Sequence, residues 1–249
     1  MNALRCENVR KAFDGIQALD GVDLAFPPSG VVAIIGPNGA GKTTLLSIMT
    51  GFLRPDAGNV FLGQQDISRQ PPHRVAHLGI ARTFQDLRLI RRMSVVENVM
   101  LARPGQRGEG LFYGLFRFGV GEEETANRQA SMGILAFVGL EERANELAGE
   151  LSYGQQKLLT LAVCLATEAT VLLLDEPVAG VHPEMAHKIA SLLLDLKRKG
   201  KLVVFIEHDM NTVRDTADCV IVMDEGRIIA QGPPADVLQQ PSIMEAYIG

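Results

Sequence analysis

Residues 36–44 constrain the fold of this 249-residue sequence more than any other segment. They read Gly-Pro-Asn-Gly-Ala-Gly-Lys-Thr-Thr and satisfy the pattern G-x-x-x-x-G-K-S/T. Just before them, residues 31–35 (VVAII) form a continuous apolar run, which is typical of a strand buried on both faces of a parallel sheet. A helix is predicted from Lys42 to about Met49. Strand, glycine-rich loop and helix in this order form a concave anion site, because successive backbone N–H groups point at the ligand.

The loop residues predict a site for the phosphates of a nucleotide. The glycines let a phosphate approach the backbone, Lys42 can reach β- and γ-phosphate oxygens, and the Thr43 hydroxyl can ligate Mg²⁺. A glycine-rich turn with an exposed lysine is the alternative, but the flanking strand and helix argue against it. The candidate nucleotide-binding residues of the loop are Gly36, Asn38, Gly39, Ala40, Gly41, Lys42, Thr43 and Thr44.

Two carboxylates follow a second apolar run. Residues 171–174 (VLLL) predict another buried strand, and Asp175 and Glu176 stand at its carboxyl end, where open α/β sheets bind ligands. Because in-line phosphoryl transfer needs positioning more than covalent chemistry, we predict that Asp175 holds Mg²⁺ or its water. Glu176 is predicted to orient and deprotonate the attacking water. An acidic N-cap of the next helix is the alternative for such a pair, and the phosphate loop favours catalysis.

The rest of the chain divides into strand-rich and helical parts. Apolar runs predict further strands at 4–9, 18–26, 202–206, 220–223 and 227–231. The first two predict an antiparallel pair, and the last two flank a hairpin turn. A helical pattern at about 183–198 gives a β-α-β order with its flanking strands, and residues after 234 predict one or two short helices. Between about 93 and 165 the apolar spacing is helical, with Ser94 and Ser152 as N-caps.

Composition excludes several classes of protein. The net charge of −5 and the pI near 5.6 argue against a nucleic-acid partner, since proteins that hold nucleic-acid phosphates usually carry a basic face. Three cysteines without a C-x-x-C pair suggest neither a disulfide framework nor a zinc site. Neither a signal peptide nor an apolar run of about 18 residues is found, so any work at a membrane is expected to go through partners.

Three local features are explained without a catalytic or metal-binding role. Four histidines, at positions 73, 77, 182 and 187, are not interpreted as metal ligands. A basic cluster of Arg82, Arg88, Arg91 and Arg92 is explained by a solvated face or a subunit contact. Residues 104–121 mix six glycines with four aromatics and either contact a membrane partner or pack locally, and local packing is favoured.

The motifs together resemble a known family. The phosphate loop, Gln85 after Arg-Thr-Phe, the sequence Leu-Ser-Tyr-Gly-Gln-Gln at 151–156, the Asp-Glu strand end and His208 after a further strand occur in the order found in ATP-binding cassette (ABC) ATPases. Several P-loop classes share the loop, whereas LSYGQ is specific. The resemblance covers essentially the whole chain. It implies an α/β P-loop NTPase fold of ABC type, with a mixed sheet core, an antiparallel β subdomain and a helical subdomain.

The resemblance also implies boundaries and roles. A single ABC ATPase domain spans 1–249, with the ATP-binding core and β subdomain at about 1–92 and 166–249, the helical subdomain at about 93–165, and a helical tail at about 234–249. Gln85 contacts Mg²⁺ and water, and His208 donates a hydrogen bond to the γ-phosphate of ATP. Phe13 stacks on adenine, although an aromatic there is equally compatible with a core position. The residues that hold the γ-phosphate of ATP on a second subunit are Ser152, Gly154 and Gln155.

Two positions depart from the common family pattern, and one of them narrows the subfamily. Tyr153 replaces a usual Gly, and His182 replaces a usual Asp, which leaves communication between sites through His182 open. Tyr153 and the segments 93–98 and 243–249 resemble the ATPases of branched-chain amino acid importers. We therefore expect an ATP-hydrolysing subunit that powers an importer of amino acids or a similar small polar solute.

The partners that the resemblance implies are a second ABC ATPase subunit, identical or different, transmembrane permease subunits and a solute-binding protein. The chain is expected at the cytoplasmic face of the membrane as a peripheral subunit. The alternatives are a soluble ABC ATPase without a transport role and a P-loop module without productive hydrolysis. Intact Lys42, Asp175, Glu176 and His208 argue against the second alternative.

Overall fold

The structure, a computed structural model, describes residues 4–105, 120–241 and 243. It divides into two compact units, a core unit of Met1–Arg82 with Thr170–Gly249 and a helical unit of Thr83–Ala169. The strands of the core unit are β1 (Leu4–Phe13), β2 (Ile16–Ala25), β3 (Gly30–Ile35), β4 (Ala57–Leu62), β5 (Gln65–Asp66), β6 (Ile80–Arg82), β7 (Val171–Asp175), β8 (Leu202–Ile206), β9 (Cys219–Asp224) and β10 (Arg227–Gly232). The helices of the two units are α1 (Lys42–Met49), α2 (Pro72–His77), α3 (Val95–Leu101), α4 (Val120–Val138), α5 (Tyr153–Ala166), α6 (Pro183–Arg198), α7 (Met210–Thr216) and α8 (Pro234–Val237).

The first sheet is antiparallel, in the order β2-β1-β4-β5. β1 and β2 form a hairpin across Asp14 and Gly15, which both have positive φ, as the twist of a two-residue hairpin loop requires. The predicted antiparallel pair is therefore confirmed. β1 extends beyond its predicted end at residue 9, because a register irregularity between Cys6 and Val9 interrupts the alternation without ending the strand.

The second sheet contains six strands in the order β10-β9-β3-β8-β7-β6. β3 pairs in parallel with both β8 and β9, and β7 pairs in parallel with both β8 and β6. All residues of β3, β7 and β8 are buried, as their unbroken apolar sequences predicted. Parallel pairing places the carboxyl ends of these strands at one edge of the sheet.

One apolar cluster supports that edge within the core unit. Side chains of the first sheet, such as Leu4 and Leu19, pack in the same buried cluster as Ile34 of β3 and Val204 of β8. α1 contributes Leu45 to this cluster, and all five side chains are fully buried or nearly so. The start of α1 is thereby fixed against β3, which it follows.

The helical unit is organised by two capping boxes. Ser94 Oγ accepts a hydrogen bond from Glu97 N at 3.3 Å, and Glu97 Oε2 accepts one from Ser94 N at 2.7 Å, so that α3 begins where the sequence predicted. The same reciprocal pair joins Ser152 and Gln155 at the start of α5. Each box gives hydrogen-bond partners to two backbone N–H groups that a helix start would otherwise leave without one.

Several short elements are absent from the sequence predictions. They are α2, α7, β4, β5 and β6, and each is too short or too polar to show a clear period. Most of residues 104–121 and most of the tail after residue 241 lie outside the described residues, so the interpretations of those two segments stay predictions. Within the described ranges, no helix combines the length and the apolar character that crossing a membrane requires.

Candidate functional site

The glycine-rich loop runs from the end of β3 into α1. Gly41 is the N-cap of α1 and has a φ of 93°. A Cβ at Gly36 would lie 2.0 Å from the carbonyl oxygen of Met223, and one at Gly41 would lie 2.3 Å from that of Ala18. Only glycine fits at these two positions. A Cβ at Gly39 would meet nothing within 4 Å, so the loop is open to a ligand on that side.

Lys42 bends back over the loop. Its Nζ donates hydrogen bonds to the carbonyl oxygens of Gly36 at 2.7 Å and Pro37 at 2.8 Å. The residue is 6% exposed, and burial lowers the pKa of its ammonium group, while the negative charges of Glu176 and Asp175 oppose that shift. A cation at the start of α1, facing two carboxylates, suits the phosphates of a nucleotide.

Glu176 and His208 lie together at the carboxyl edge of the second sheet. His208 Nε2 is 3.5 Å from Glu176 Oε1, although the residues belong to segments after different strands, β7 and β8. Glu176 has a φ of 50°, which is unfavourable for a residue other than glycine. Its N–H donates to the carbonyl oxygen of Ile206 at 3.0 Å, and this bond holds the turn against β8. α6 takes His182 as its N-cap, so neither carboxylate has the alternative role of capping that helix.

The predicted solvated face is wrong for Arg82. Its side chain is 5% exposed, and Nη2 forms an ion pair with Asp175 Oδ2 at 3.0 Å. Nη1 donates to Ser47 Oγ at 2.8 Å, and this hydroxyl donates to the carbonyl oxygen of Thr43 at 2.6 Å. Arg82 therefore connects the predicted magnesium carboxylate to α1, and it is not part of a solvated face. The apolar residues just before it were the available signal.

Glu207 is a second functional candidate that the sequence motifs did not indicate. It lies between β8 and His208, is 2% exposed, and accepts hydrogen bonds from Val178 N at 2.7 Å and His208 N at 3.1 Å. Burial raises the pKa of its carboxyl group. The signal for it was a charged residue directly after the fully apolar run of β8.

The remaining predicted site residues are divided between the core unit and the helical unit. Phe13 ends β1 in the core unit, where the residue is 42% exposed and Lys11 Nζ lies 5.4 Å from the ring centroid. Gln85 belongs to the helical unit, as do Ser152 and its capping partner Gln155. Gln155 Oε1 accepts from Ser152 N at 2.9 Å, and Ser152 Oγ accepts from Gln155 N at 3.4 Å. Gly154 lies in the first turn of α5.

The oxygen donors of the core unit fit a magnesium ion. The Thr43 hydroxyl and the Asp175 carboxylate are hard oxygen ligands, which Mg²⁺ prefers, whereas histidine and cysteine ligands would suit zinc. Among the described residues, no group of three or more His, Cys, Asp or Glu side chains is arranged to hold a metal. A magnesium ion would therefore depend on phosphate oxygens and water for its other ligands.

This fold and site define a P-loop nucleotide-binding protein. A glycine-rich loop joins the buried parallel strand β3 to α1. Asp175 and Glu176 stand at the carboxyl end of β7, which is separated from β3 by β8 in the same sheet. A family model described as ABC transporter matches residues 19–179, which is more than half of the chain. The chain belongs to the ATP-binding cassette family of ABC transporter ATPases, as its motifs predicted.

Curated relatives match over nearly the full length. A probable branched-chain amino acid transport ATP-binding protein LivG of Methanocaldococcus jannaschii is 40% identical to this chain. The match covers 100% of this chain and 98% of the relative. A high-affinity branched-chain amino acid transport ATP-binding protein BraF of Pseudomonas aeruginosa is 37% identical, with 99% of this chain and 97% of the relative covered.

A solved structure confirms the predicted fold class. The crystal structure of an ATP-binding cassette of an ABC transporter in its ADP conformation is 38% identical, with a TM-score of 0.86 and with 100% of this chain and 99% of that chain covered. A dimeric cassette of a bacterial ABC transporter is 26% identical, with a TM-score of 0.78 over 93% of this chain and 98% of that chain.

Proposed function

We propose that this chain is the ATP-hydrolysing subunit that powers an importer of branched-chain amino acids. The observation that carries the proposal is full-length identity of 37–40% to curated branched-chain amino acid transport ATP-binding proteins. These relatives are transport proteins, which favours the transporter over a soluble ABC ATPase. Tyr153 and the segment 93–98 support the same subfamily.

The residues of the core unit can perform the hydrolysis. ATP with Mg²⁺ supplies the phosphoryl group whose transfer to water releases the free energy for transport. Lys42 Nζ exchanges the carbonyl oxygens of Gly36 and Pro37 for phosphate oxygens. Thr43 and Asp175 would hold the magnesium ion through their side-chain oxygens. The exposed ring of Phe13 offers a face on which adenine can stack.

Glu176 and His208 act on the reacting groups. The Glu176 carboxylate orients the attacking water and accepts its proton, and His208 Nε2 donates a hydrogen bond to a γ-phosphate oxygen. Their 3.5 Å separation places both side chains around one small volume at the edge of the sheet.

The second half of each site comes from another ATPase subunit. Ser152, Gly154 and Gln155 lie at the N-terminal turn of α5, where the positive end of the helix dipole and the serine hydroxyl suit the γ-phosphate held by the partner. ATP-driven closure of the dimer then drives permease subunits, which receive solute from a binding protein. The subunit would sit peripherally on the cytoplasmic face of the membrane through those permeases.

Reconstitution tests the proposal in two stages. The full-length chain, co-purified with its membrane partners and with a solute-binding protein, is assayed for phosphate release from MgATP in the presence of leucine, isoleucine, valine, glycine or glucose. We expect stimulation by the three branched-chain amino acids and none by glucose. Stimulation by a different class of solute would overturn the proposed substrate class. Absence of hydrolysis under every condition would overturn the proposed ATPase function.

Lys42→Ala supplies the control for background hydrolysis. This variant should lose most ATP binding by calorimetry, since the loop then lacks its cation. The matched variant Lys199→Ala, which removes an exposed lysine after α6, should bind ATP as the unmodified chain does. Equal affinity of both variants would contradict the assignment of the loop.

A further inference from the structure

Glu207 joins two chain segments that carry different functional side chains. Its Oε1 accepts the N–H of Val178 at 2.7 Å, and its Oε2 accepts the N–H of His208 at 3.1 Å. Val178 follows Glu176 by two residues, and His208 follows Glu207 directly. One carboxylate thereby bridges the turn after β7 to the loop after β8.

The turn that Glu207 holds is conformationally unfavourable. Glu176 has a φ of 50°, and such a residue persists only where its surroundings over-determine the backbone. Two bonds from the end of β8 provide that restraint. Ile206 O accepts the N–H of Glu176 at 3.0 Å, and the Glu207 carboxylate accepts the N–H of Val178. The turn is therefore fixed on both sides of Pro177.

A buried carboxylate is an unfavourable way to fill this position unless it does more than pack. Glu207 is 2% exposed, and its burial disfavours the charged form. Hydrogen bonds from the N–H groups of Val178, His208 and Asp209 oppose that effect. An apolar side chain would avoid the cost of burying a charge but could not accept these bonds.

We propose that Glu207 is a positioning residue for ATP hydrolysis. Its carboxylate holds the Glu176 turn and the His208 loop together, so that Glu176 Oε1 and His208 Nε2 stay at their observed 3.5 Å separation. The inference rests on the proposed roles of Glu176 and His208 in hydrolysis. Glu207 acts through these two residues, because its two oxygens bond to backbone N–H groups.

Two substitutions in the full-length chain separate bridging from charge. Glu207→Gln keeps the length but turns one acceptor into a donor, which then faces a backbone N–H. Glu207→Asp keeps the charge but shortens the side chain by one methylene, so that it cannot reach both segments. Each variant should lower kcat for ATP hydrolysis by about tenfold and leave KM for ATP within about twofold. Glu142→Gln, an exposed carboxylate of the helical unit, should leave both constants unchanged.

A double-mutant cycle tests whether Glu207 acts through His208. In the His208→Ala background, adding Glu207→Gln should lower kcat by less than tenfold, because one of the two positioned groups is already absent. A side chain that only supported the fold would lower kcat by the same factor in both backgrounds. Hydrogen exchange gives an independent readout, since the amides of Val178 and His208 should exchange faster in Glu207→Gln and in Glu207→Asp.

The outcomes distinguish this inference from the proposed function. If the unmodified chain hydrolyses ATP and Glu207→Asp matches its kcat, bridging by Glu207 is wrong while the ATPase function stands. Equal factors in the cycle, or unchanged exchange at Val178 and His208, would also overturn it. Should Glu207→Gln fail to fold, Glu207→Asp carries the same kinetic and exchange tests. If the unmodified chain hydrolyses no ATP, the proposed function itself fails.

Discussion

Arg82 Nη2 lies 3.0 Å from Asp175 Oδ2, and both side chains are buried. The pairing of β6 with β7 explains this contact. Arg82 is the register partner of Leu173, and Asp175 is two residues further along β7, so that Leu173 and Asp175 lie on the same face of the sheet. The protein thus orients the predicted magnesium carboxylate with a cation of its own.

Removing this cation should destabilise the chain strongly. Arg82→Met leaves a buried carboxylate without its ion-pair partner at Nη2, and we expect the free energy of unfolding to fall by about 3 kcal/mol. Urea unfolding without nucleotide measures the loss. Arg198→Met is the matched control, because Arg198 pairs with Asp195 on the surface and should change stability by less than about 1 kcal/mol. Equal losses in the two variants would refute a structural ion pair at Asp175.

Glu176→Gln should separate ATP binding from hydrolysis. The amide cannot accept a proton from water, so kcat should fall by about a hundredfold or more while ATP still binds. We also expect ATP-bound dimers to accumulate, which size-exclusion chromatography with MgATP would detect. Retained hydrolysis, with Glu142→Gln as the control for loss of a carboxylate, would refute the role of Glu176 as the general base.

Ser152 and Ser94 provide a matched pair of N-caps. Both open a helix of the helical unit with a full capping box, so each change to alanine should cost about 1 kcal/mol of stability. Only Ser152 is proposed to contact the γ-phosphate held by a second subunit. Ser152→Ala should therefore weaken ATP-dependent dimerisation and hydrolysis, whereas Ser94→Ala should change stability alone. Equal ATPase rates in the two variants would contradict the shared site.

Cys6 should make stability depend on pH in alkaline solution. Burial raises the pKa of its thiol from 9.0 to about 12, with a smaller effect from the charge of Asp23. The folded chain therefore binds this proton more tightly than the unfolded chain does, and the stability that it contributes falls as pH rises above 9.0. Between about pH 8 and pH 10.5 the loss from this group should be about 2 kcal/mol.

Urea unfolding of the unmodified chain and of Cys6→Ala isolates that contribution. The variant should lose less stability across this pH range, even if its absolute stability is lower. In the native chain at about pH 8.5, a thiol reagent should react with the partly exposed Cys219 before the buried Cys6. Rapid labelling of Cys6 without denaturant would show that β1 is not packed as observed.

Elements with local signals were predictable from the sequence. α1, α6 and β8 have the predicted bounds, and Ser94 and Ser152 cap the predicted helices. A capping serine, a proline at the first helical position, or an unbroken apolar run specifies structure through neighbours a few residues away. The phosphate loop could be identified in the same way, because its residues are contiguous, whereas the family followed from the resemblance of several motifs spread along the chain.

The tertiary structure decided what the sequence left open at the site. Arg82 had the composition of a surface cluster, and its burial followed from parallel pairing with a strand about ninety residues later in the chain. Glu207 and the positive φ of Glu176 likewise depend on β7 and β8 being neighbours. The local sequence therefore determined the glycine-rich loop together with its flanking strand and α1. Contacts between distant segments oriented the carboxylates opposite Lys42, and no local pattern encodes such contacts.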